Sequence, residues 1–398
     1  MPYRFNVVAF INSNVTAVGL RVGDNIIKLN KTNYPIWYGE YSVDLDTKYH
    51  YILYDTIDDT LVEEENFDRT VKYSLPDNGS NELVNEFYGK ENTVYQHPRL
   101  PRIYNITQDF MSNKYSELFD DRFISVIHFE GNSTIYEKMK HFYSKNQKDK
   151  DKELPSLKVN ATITTPFISR SYQDLLLELN TLVEKINVET DSQDYKSSYF
   201  LSYINESNSL VPEDVGIFNK TSIQLLSTST DSILLRHILY AEMGNSIAVP
   251  TAQVSYARVY FNNEPVGFFL LKENLNTDYF VSNFDSPTMY GQLGENSAPM
   301  TYVGEVLSKS LSQEEMNKED TDPYYNYWYQ GKKIAEQSRD KSELADLFKI
   351  FQDSTLDEVQ SIFNGKDFLK NMALDYVTNN RNAYLYNATN YFLYFNEV

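Results

Sequence analysis

Short apolar runs separated by polar breaks fill the first part of the chain. FNVVAF (5–10), VTAVGLRV (15–22), NIIKL (25–29), IWYGEYSV (36–43) and YHYILY (49–54) are rich in β-branched and aromatic residues, with Asn, Gly, Asp and Pro between them. Strands at this even spacing predict a small all-β sandwich over residues 1–60. From 61 to 115 the pattern lapses into an acidic run, Glu63-Glu64-Glu65, and the Pro-punctuated stretch QHPRLPRIY. This part is expected to be an irregular linker that wraps onto the next domain.

RFISVIHF (122–129) predicts a strand, and LKVNATITTPFI (157–168) a second one that pairs with it. In SYQDLLLELNTLVEKI (171–186), Leu175, Leu176, Leu179, Leu182, Val183 and Ile186 fit a helical period, yet the segment can equally begin as a strand. SILLRHILYAEM (232–243) predicts a helix capped by Thr230 or Asp231 and ended at Gly244. A hairpin follows: Tyr256–Phe261, a turn at Asn262-Asn263-Glu264-Pro265, then Val266–Lys272. Residues 283 to 325 show little periodicity. Helices are expected over 342–351, after the capping box Thr355-Leu356-Asp357-Glu358, and over 367–377. LYNATNYFLYFNEV closes the chain as a turn and a strand, whose pairing partner is expected beyond Val398.

The 398 residues carry a formal charge of −20, which argues against binding nucleic acid or anionic membrane surfaces. The absence of cysteine excludes disulfides, thiolate zinc sites and cysteine nucleophiles. The chain holds no apolar stretch of about 18 residues, the length of a membrane span, and no signal peptide is visible. Nine N-x-S/T sequons occur where chance gives about five or six, which leans toward a secretory route. There is no G-x-G-x-x-G, G-x-x-x-x-G-K or G-x-S-x-G motif, and the five histidines lack metal-ligand spacing. Arg236 in an apolar helix and Glu273 at the hairpin exit each fit a surface or ion-pair role, or a role in positioning a phosphate or a reacting group. The cluster YYNYWYQGKK (324–333) fits core packing or sugar stacking.

The stretch SIQLLSTSTDSILLRHILYAEMGNSIAVPTAQVSYARVYFNNEPVGFFLLKENL (222–275) resembles the core of the CotH spore-coat protein family, in its fungal branch. NEFYGKENTVYQHPRLPRIY (85–104) and RNAYLYNATNYFLYF (381–395) extend the resemblance, in patches, over most of the chain. It implies an α+β protein: the N-terminal sandwich followed by a divergent protein-kinase-like two-lobe domain, truncated at its C-terminal end. The lobes would cover 116–280 and 281–398. Some members phosphorylate spore-coat proteins, using ATP and Mg²⁺, and fungal relatives are secreted or wall proteins, some of them host-cell ligands.

Under this resemblance Gln224 stands where the family has a basic residue, and kinase chemistry uses such a cation on the nucleotide phosphates. Arg236 and Glu273 would lie near the nucleotide. Asn382 falls at the position of the catalytic Asp, and an amide cannot take the substrate hydroxyl's proton. Asn390 matches the metal-binding Asn, and the family's metal-binding Asp is expected after the last strand, beyond this chain. The expectation is a secreted, cell-surface or spore-coat glycoprotein without working catalytic groups, with or without bound ATP and Mg²⁺. It would bind a protein partner on a coat or host cell. The alternatives are an active atypical kinase, with Glu273, Asp278 or Asp375 supplying the lost groups, and a carbohydrate-binding protein. The last would use Trp37, Tyr38 and the loop near Trp328 on a cell-wall glycan.

Overall fold

A computed structural model describes residues 2–11, 15–55, 60–71, 84–95, 99–104, 116–142, 154–180, 196–203, 216–228, 231, 233–275, 288–292, 300, 328–329 and 342–395. The protein is mixed α+β and strand-rich. It packs into two units. The first holds residues 1–98, 116–232 and 254–272; the second holds 99–115, 233–253 and 273–398.

The first unit opens with two sheets built from β1 (Pro2–Val8), β2 (Ala17–Val22), β3 (Asn25–Lys28), β4 (Asn30–Lys31), β5 (Ile36–Ser42), β6 (Lys48–Asp55), β7 (Thr60–Glu64), β8 (Arg69–Thr70) and β9 (Glu86–Phe87). One sheet has the order β4-β5-β1-β9, the other β3-β2-β6-β7 with β8 also on β6. Strand alternation sends Phe5, Val7 and Trp37 from the first sheet against Val18, Leu20 and Tyr51 from the second. Their neighbours Val8 and Ile36 face the other way and pack with Phe87, Val126 and Tyr260. The stretch read as irregular from residue 61 thus contributes β7, β8 and β9. Thr60–Glu64 is exposed throughout, which hid it from a hydrophobic-pattern reading.

Arg69 fixes this region. Its Nη2 donates to Glu65 Oε1 at 2.6 Å and its Nε to Glu65 Oε2 at 2.9 Å, with both side chains buried. Nη1 reaches Glu86 Oε1 at 3.2 Å, and Nη2 also donates to the carbonyls of Phe87 and Lys90. Glu86 further accepts the hydroxyls of Tyr49 and Tyr51. Burial raises the Glu86 carboxyl above its usual range, while Arg69 and the two phenols pull it back.

The rest of the first unit is a closed seven-stranded barrel, in the order β10 (Ile124–Gly131), β11 (Ser156–Thr164), β12 (Ser169–Leu179), β13 (Tyr199–Tyr203), β14 (Ser222–Ser227), β16 (Glu264–Glu273) and β15 (Val254–Phe261). Helix α1 (Ser133–Lys140), capped by Asn132, follows β10. The expected pairing of the first two strands is present: β10 and β11 are antiparallel from Val126↔Thr164 to Gly131↔Val159. The ambiguous segment is a strand as far as Leu179, with Leu175, Leu177 and Leu179 in the barrel core. Its remainder, from 181, lies outside the described residues. Ile127, Val159, Leu201, Leu225, Phe269 and Leu271 also fill the interior. β15 joins β10 in parallel, and this pair closes the ring.

The β15–β16 hairpin turns at Asn262 and Asn263, both with positive φ (48° and 72°), a conformation Asn tolerates and two-residue hairpins need. Asn262 ties the turn to β10: its N–H donates to the Phe129 carbonyl at 2.8 Å and its Oδ1 accepts from Gly131 N–H at 3.1 Å. Between Val259 and Tyr260 the register shifts by one, leaving Val266 as a bulge beside Gly267, whose φ of 136° favours glycine.

The second unit contains α2 (Arg236–Ser246), β17 (Thr288–Gln292), β18 (Trp328–Tyr329), α3 (Ser342–Asp353), α4 (Leu356–Ile362), α5 (Gly365–Thr378), α6 (Tyr384–Asn387) and β19 (Tyr391–Phe395). Helix α2 starts four residues later than the sequence pattern suggests. Leu234 has a left-handed φ of 60°, which blocks helix upstream, and the N-cap is Leu235 without a side-chain bond, in place of Thr230 or Asp231. Gly244 does not end the helix. It lies within it, where a Cβ would come 2.3 Å from Thr251 Cγ2. The expected capping box at Thr355 is formed, with Glu358 accepting from Thr355 N–H at 2.7 Å. The last strand finds its partner inside the chain: β19 runs antiparallel to β17, from Thr288↔Phe395 to Gln292↔Tyr391. Aromatic edges link Phe351, Phe363, Phe368, Tyr384 and Tyr391 in succession, at centroid distances of 4.9–5.6 Å.

Removing one partner from a buried ion pair strands a charge, whereas an exposed pair contributes little. Arg69→Ala is therefore expected to destabilise the first unit by about 3–5 kcal/mol. Arg21→Ala, which removes the half-exposed Arg21–Glu64 pair at 3.4 Å, should cost less than about 1 kcal/mol. Urea denaturation of the two variants checks the contrast.

Candidate functional site

Two segments of the second unit carry most of the residues singled out by the sequence. The first is the end of α2 with the strand exit at Glu273. Glu273 is buried, with 3% of its surface exposed. Its Oε2 accepts from the Gln253 N–H at 3.1 Å, and its own N–H donates to the Gln253 carbonyl at 2.9 Å. Gln253 exchanges two amide hydrogen bonds with Asn245 on the last turn of α2, at 3.2 and 3.3 Å. The PRIY stretch then closes over this helix end. Arg102 donates to the Asn245 carbonyl at 2.8 Å, Ser246 Oγ to the Pro101 carbonyl at 2.6 Å, and Ile103 N–H to the Ser246 carbonyl at 2.8 Å. Lys370 lies 4.6 Å above the Tyr104 ring. The Glu273 carboxylate is thus tied to the main chain at Gln253. Arg236 stands on the first turn of α2, exposed, at the opposite end of the helix.

The second segment is the loop after α5. Asn379, with φ of 51°, ends the helix in a left-handed cap. Asn382 and Asn390 meet here: Asn390 Nδ2 donates to the Asn382 carbonyl at 2.6 Å and to Thr389 Oγ1 at 3.2 Å. Thr389 Oγ1 donates to the same carbonyl at 3.3 Å, and Asn387 Nδ2 to the Arg381 carbonyl at 2.7 Å. Asn382 and Asn390 are both exposed. Asp375, buried at the foot of this loop, accepts from Tyr240 Oη at 3.0 Å and Asn380 Nδ2 at 3.2 Å. Sequence reasoning named Asp375 only as a fallback. Its signal is an acid on the inner face of a helix, and acids there are common enough not to stand out.

Magnesium prefers several hard oxygen ligands with carboxylates among them. The loop presents amides, Asn390 turns its nitrogen toward the position of Asn382, and the Asp375 carboxylate is already bonded. Among the described residues no group of three His, Asp or Glu could hold a metal ion. The described residues therefore do not make a magnesium site. Asp278 lies outside them.

Gln224 belongs to the first unit, on the outer side of β14. It alternates with the core residues Ile223 and Leu225, and its Oε1 accepts from Asn180 Nδ2 at 3.3 Å. The proposed sugar platform is corrected at one residue. Trp37 is 5% exposed, in the sandwich core, and its Nε1 donates to the Ala9 carbonyl at 3.0 Å, so its ring is not available for stacking. Tyr38 is covered by Arg4, 4.8 Å from its ring. Of the cluster 324–333, only the backbone of β18 is described.

A strand-rich α+β chain with a helix inserted between β14 and β15, and an Asn loop after a long helix, defines a mixed fold whose candidate residues sit on strand exits and loops. The family model described as CotH kinase protein matches residues 187–398, more than half of the chain. The chain belongs to this family. No curated protein matches the chain. No described helix is long and apolar enough to cross a membrane.

Burial raises the Asp375 carboxyl above its usual value of 3.8, while the hydrogen bonds from Tyr240 and Asn380 oppose the shift. An acid raised in the folded state binds more protons than in the unfolded chain, so folding gains stability as pH falls from the raised value toward 3.8. Urea titrations between pH 7 and 4 should show wild type gaining on Asp375→Asn as pH falls. A constant difference between them would assign no such shift to Asp375.

Proposed function

We propose that this chain is a non-catalytic, kinase-like protein of a spore coat or cell surface, and that it acts by binding a protein partner. The observation that carries this reading is Asn382. By the resemblance it stands where the family's pattern has an acid, and its loop spends polar groups on itself, through Asn390 and Thr389. Phosphoryl transfer relies on positioning plus electrostatic stabilisation, with a base for the substrate hydroxyl and cations for the phosphates. Gln224 offers no charge at the basic position. Glu273 and Asp375, the carboxylates within the described residues that could replace lost groups, are bonded to Gln253 and to Tyr240 and Asn380.

Support for a kinase-like N-terminal lobe comes from the strand order β12-β13-β14-β16-β15 with α2 between β14 and β15. Kinases likewise place a helix after the strand that bears their phosphate-binding lysine. Secretion and glycosylation fit the surface. At the described sequons Asn30, Asn132, Asn160, Asn219 and Asn387, the Asn is exposed in each case.

The purified chain, incubated with ATP and Mg²⁺ or Mn²⁺, is expected to show no phosphate transfer to itself or to added coat protein above a protein-free control. Metal-dependent turnover that disappears on changing Asn382 would overturn the binding-protein reading in favour of an active atypical kinase.

A further inference from the structure

A histidine is sealed into the seam between the sandwich and the barrel, both of them within the first unit. Along β10, Ile127 and Phe129 enter the barrel core, so alternation turns His128 outward, toward the sandwich. The ring of Phe10, just past β1, lies 5.3 Å from the imidazole, and that of Tyr34 lies 5.2 Å from it, centre to centre. Phe10 also stacks at 3.8 Å on Tyr260, the residue of β15 in register with His128. Tyr34 closes the seam. Its hydroxyl donates to Asn263 Oδ1 on the β15–β16 turn at 2.8 Å and accepts from the Ile11 N–H at 3.2 Å. Asn263 also hydrogen-bonds the His128 ring. The imidazole that results is 1% exposed.

This seam suits the neutral ring and has no place for a second proton. Nε2 is buried without a hydrogen-bond partner among the described residues. Protonation there creates a charged donor with no acceptor, between two aromatic rings. The charged and titratable groups around the ring come from four elements. Glu130 on β10 itself favours the imidazolium, and Lys31 of β4 opposes it. Tyr34 is pushed up to about 12 by burial, and Tyr260 is raised too, so both phenols stay neutral where histidine titrates. Arg258 stands one outward position back along β15, opposite Val126, and β11 sets the uncharged Thr162 opposite His128. Burial is the largest effect and lowers the His128 pKa from 6.5. The closed seam therefore binds fewer protons than an opened one. Its stability is complete above pH 6.5 and is lost as pH falls below that value.

We propose that His128 makes this seam an acid-operated catch: neutral, it lets Phe10 and Tyr34 of the sandwich close on the barrel, and protonated, it releases them. A second tie between the two parts contains no titratable group. Asn85 N–H donates to the Pro166 carbonyl at 2.8 Å, and Asn85 Nδ2 to the Thr165 carbonyl at 3.1 Å. Acid thus opens the His128 end, uncovering the rings of Phe10, Tyr34 and Tyr260, while the Asn85 tie holds.

Hydrogen exchange of the full chain at pH 7.5 and 5.5, compared as protection factors, tests this at two amides. Protection at Ile11 should fall severalfold in wild type on acidification. The limit is about tenfold, because the opened histidine titrates near 6.5. Protection at Asn85 should be kept. His128→Phe and His128→Gln, which cannot take up the proton, should show no such fall at Ile11. Equal loss at Ile11 and Asn85, or the same fall in the variants, would overturn the proposal. NMR titration of the wild-type His128 ring gives a check that needs no variant to fold. Its midpoint should lie below 6.5, and a midpoint at or above 6.5 would overturn the catch as well.

Discussion

The parallel pairing of β10 with β15 governs much of what the first unit can do. It closes seven strands into a ring whose interior is filled by side chains, from Ile127 and Phe129 to Leu271. A filled barrel leaves no room for a ligand inside. Every polar residue of these strands that is to meet a partner must therefore stand on the outer face. Alternation then decides which ones do: Gln224 and Lys272 outward, Leu225 and Leu271 inward. The same rule sends Val8 and Ile36 of the sandwich toward Val126 and Tyr260, so that one sheet serves two cores.

Buried charge is treated differently at two places. Arg69 and Glu65 are paired, bidentate and surrounded by further donors and acceptors, so a costly desolvation is offset within the fold. Glu273 accepts from the main-chain N–H of Gln253, whose side-chain amide is in turn bonded to Asn245 near the end of α2. Both arrangements hold elements together.

In the loop after α5, Asn382 and Asn390 come together. An amide and a backbone carbonyl join them, with no carboxylate between.

Hydrophobic alternation was enough to locate most strands, the β15–β16 hairpin with its Asn turn, the Thr355 capping box and the helices of the last third, because these follow from local sterics and local hydrogen bonds. Family membership was legible from the 222–275 segment for a similar reason: its spacing of strand, helix and hairpin is written in consecutive residues. The exposed strand β7, the late start of α2 at a left-handed Leu234, and β17 as the partner of β19 were not legible, since each depends on residues distant in sequence or on a backbone conformation that no residue type announces. The candidate site divides in the same way. Gln224, Glu273, Asn382 and Asn390 could be named from motif position. That Glu273 is bonded to Gln253 and that Asp375 lies under Tyr240 required the tertiary packing of strand ends and helices.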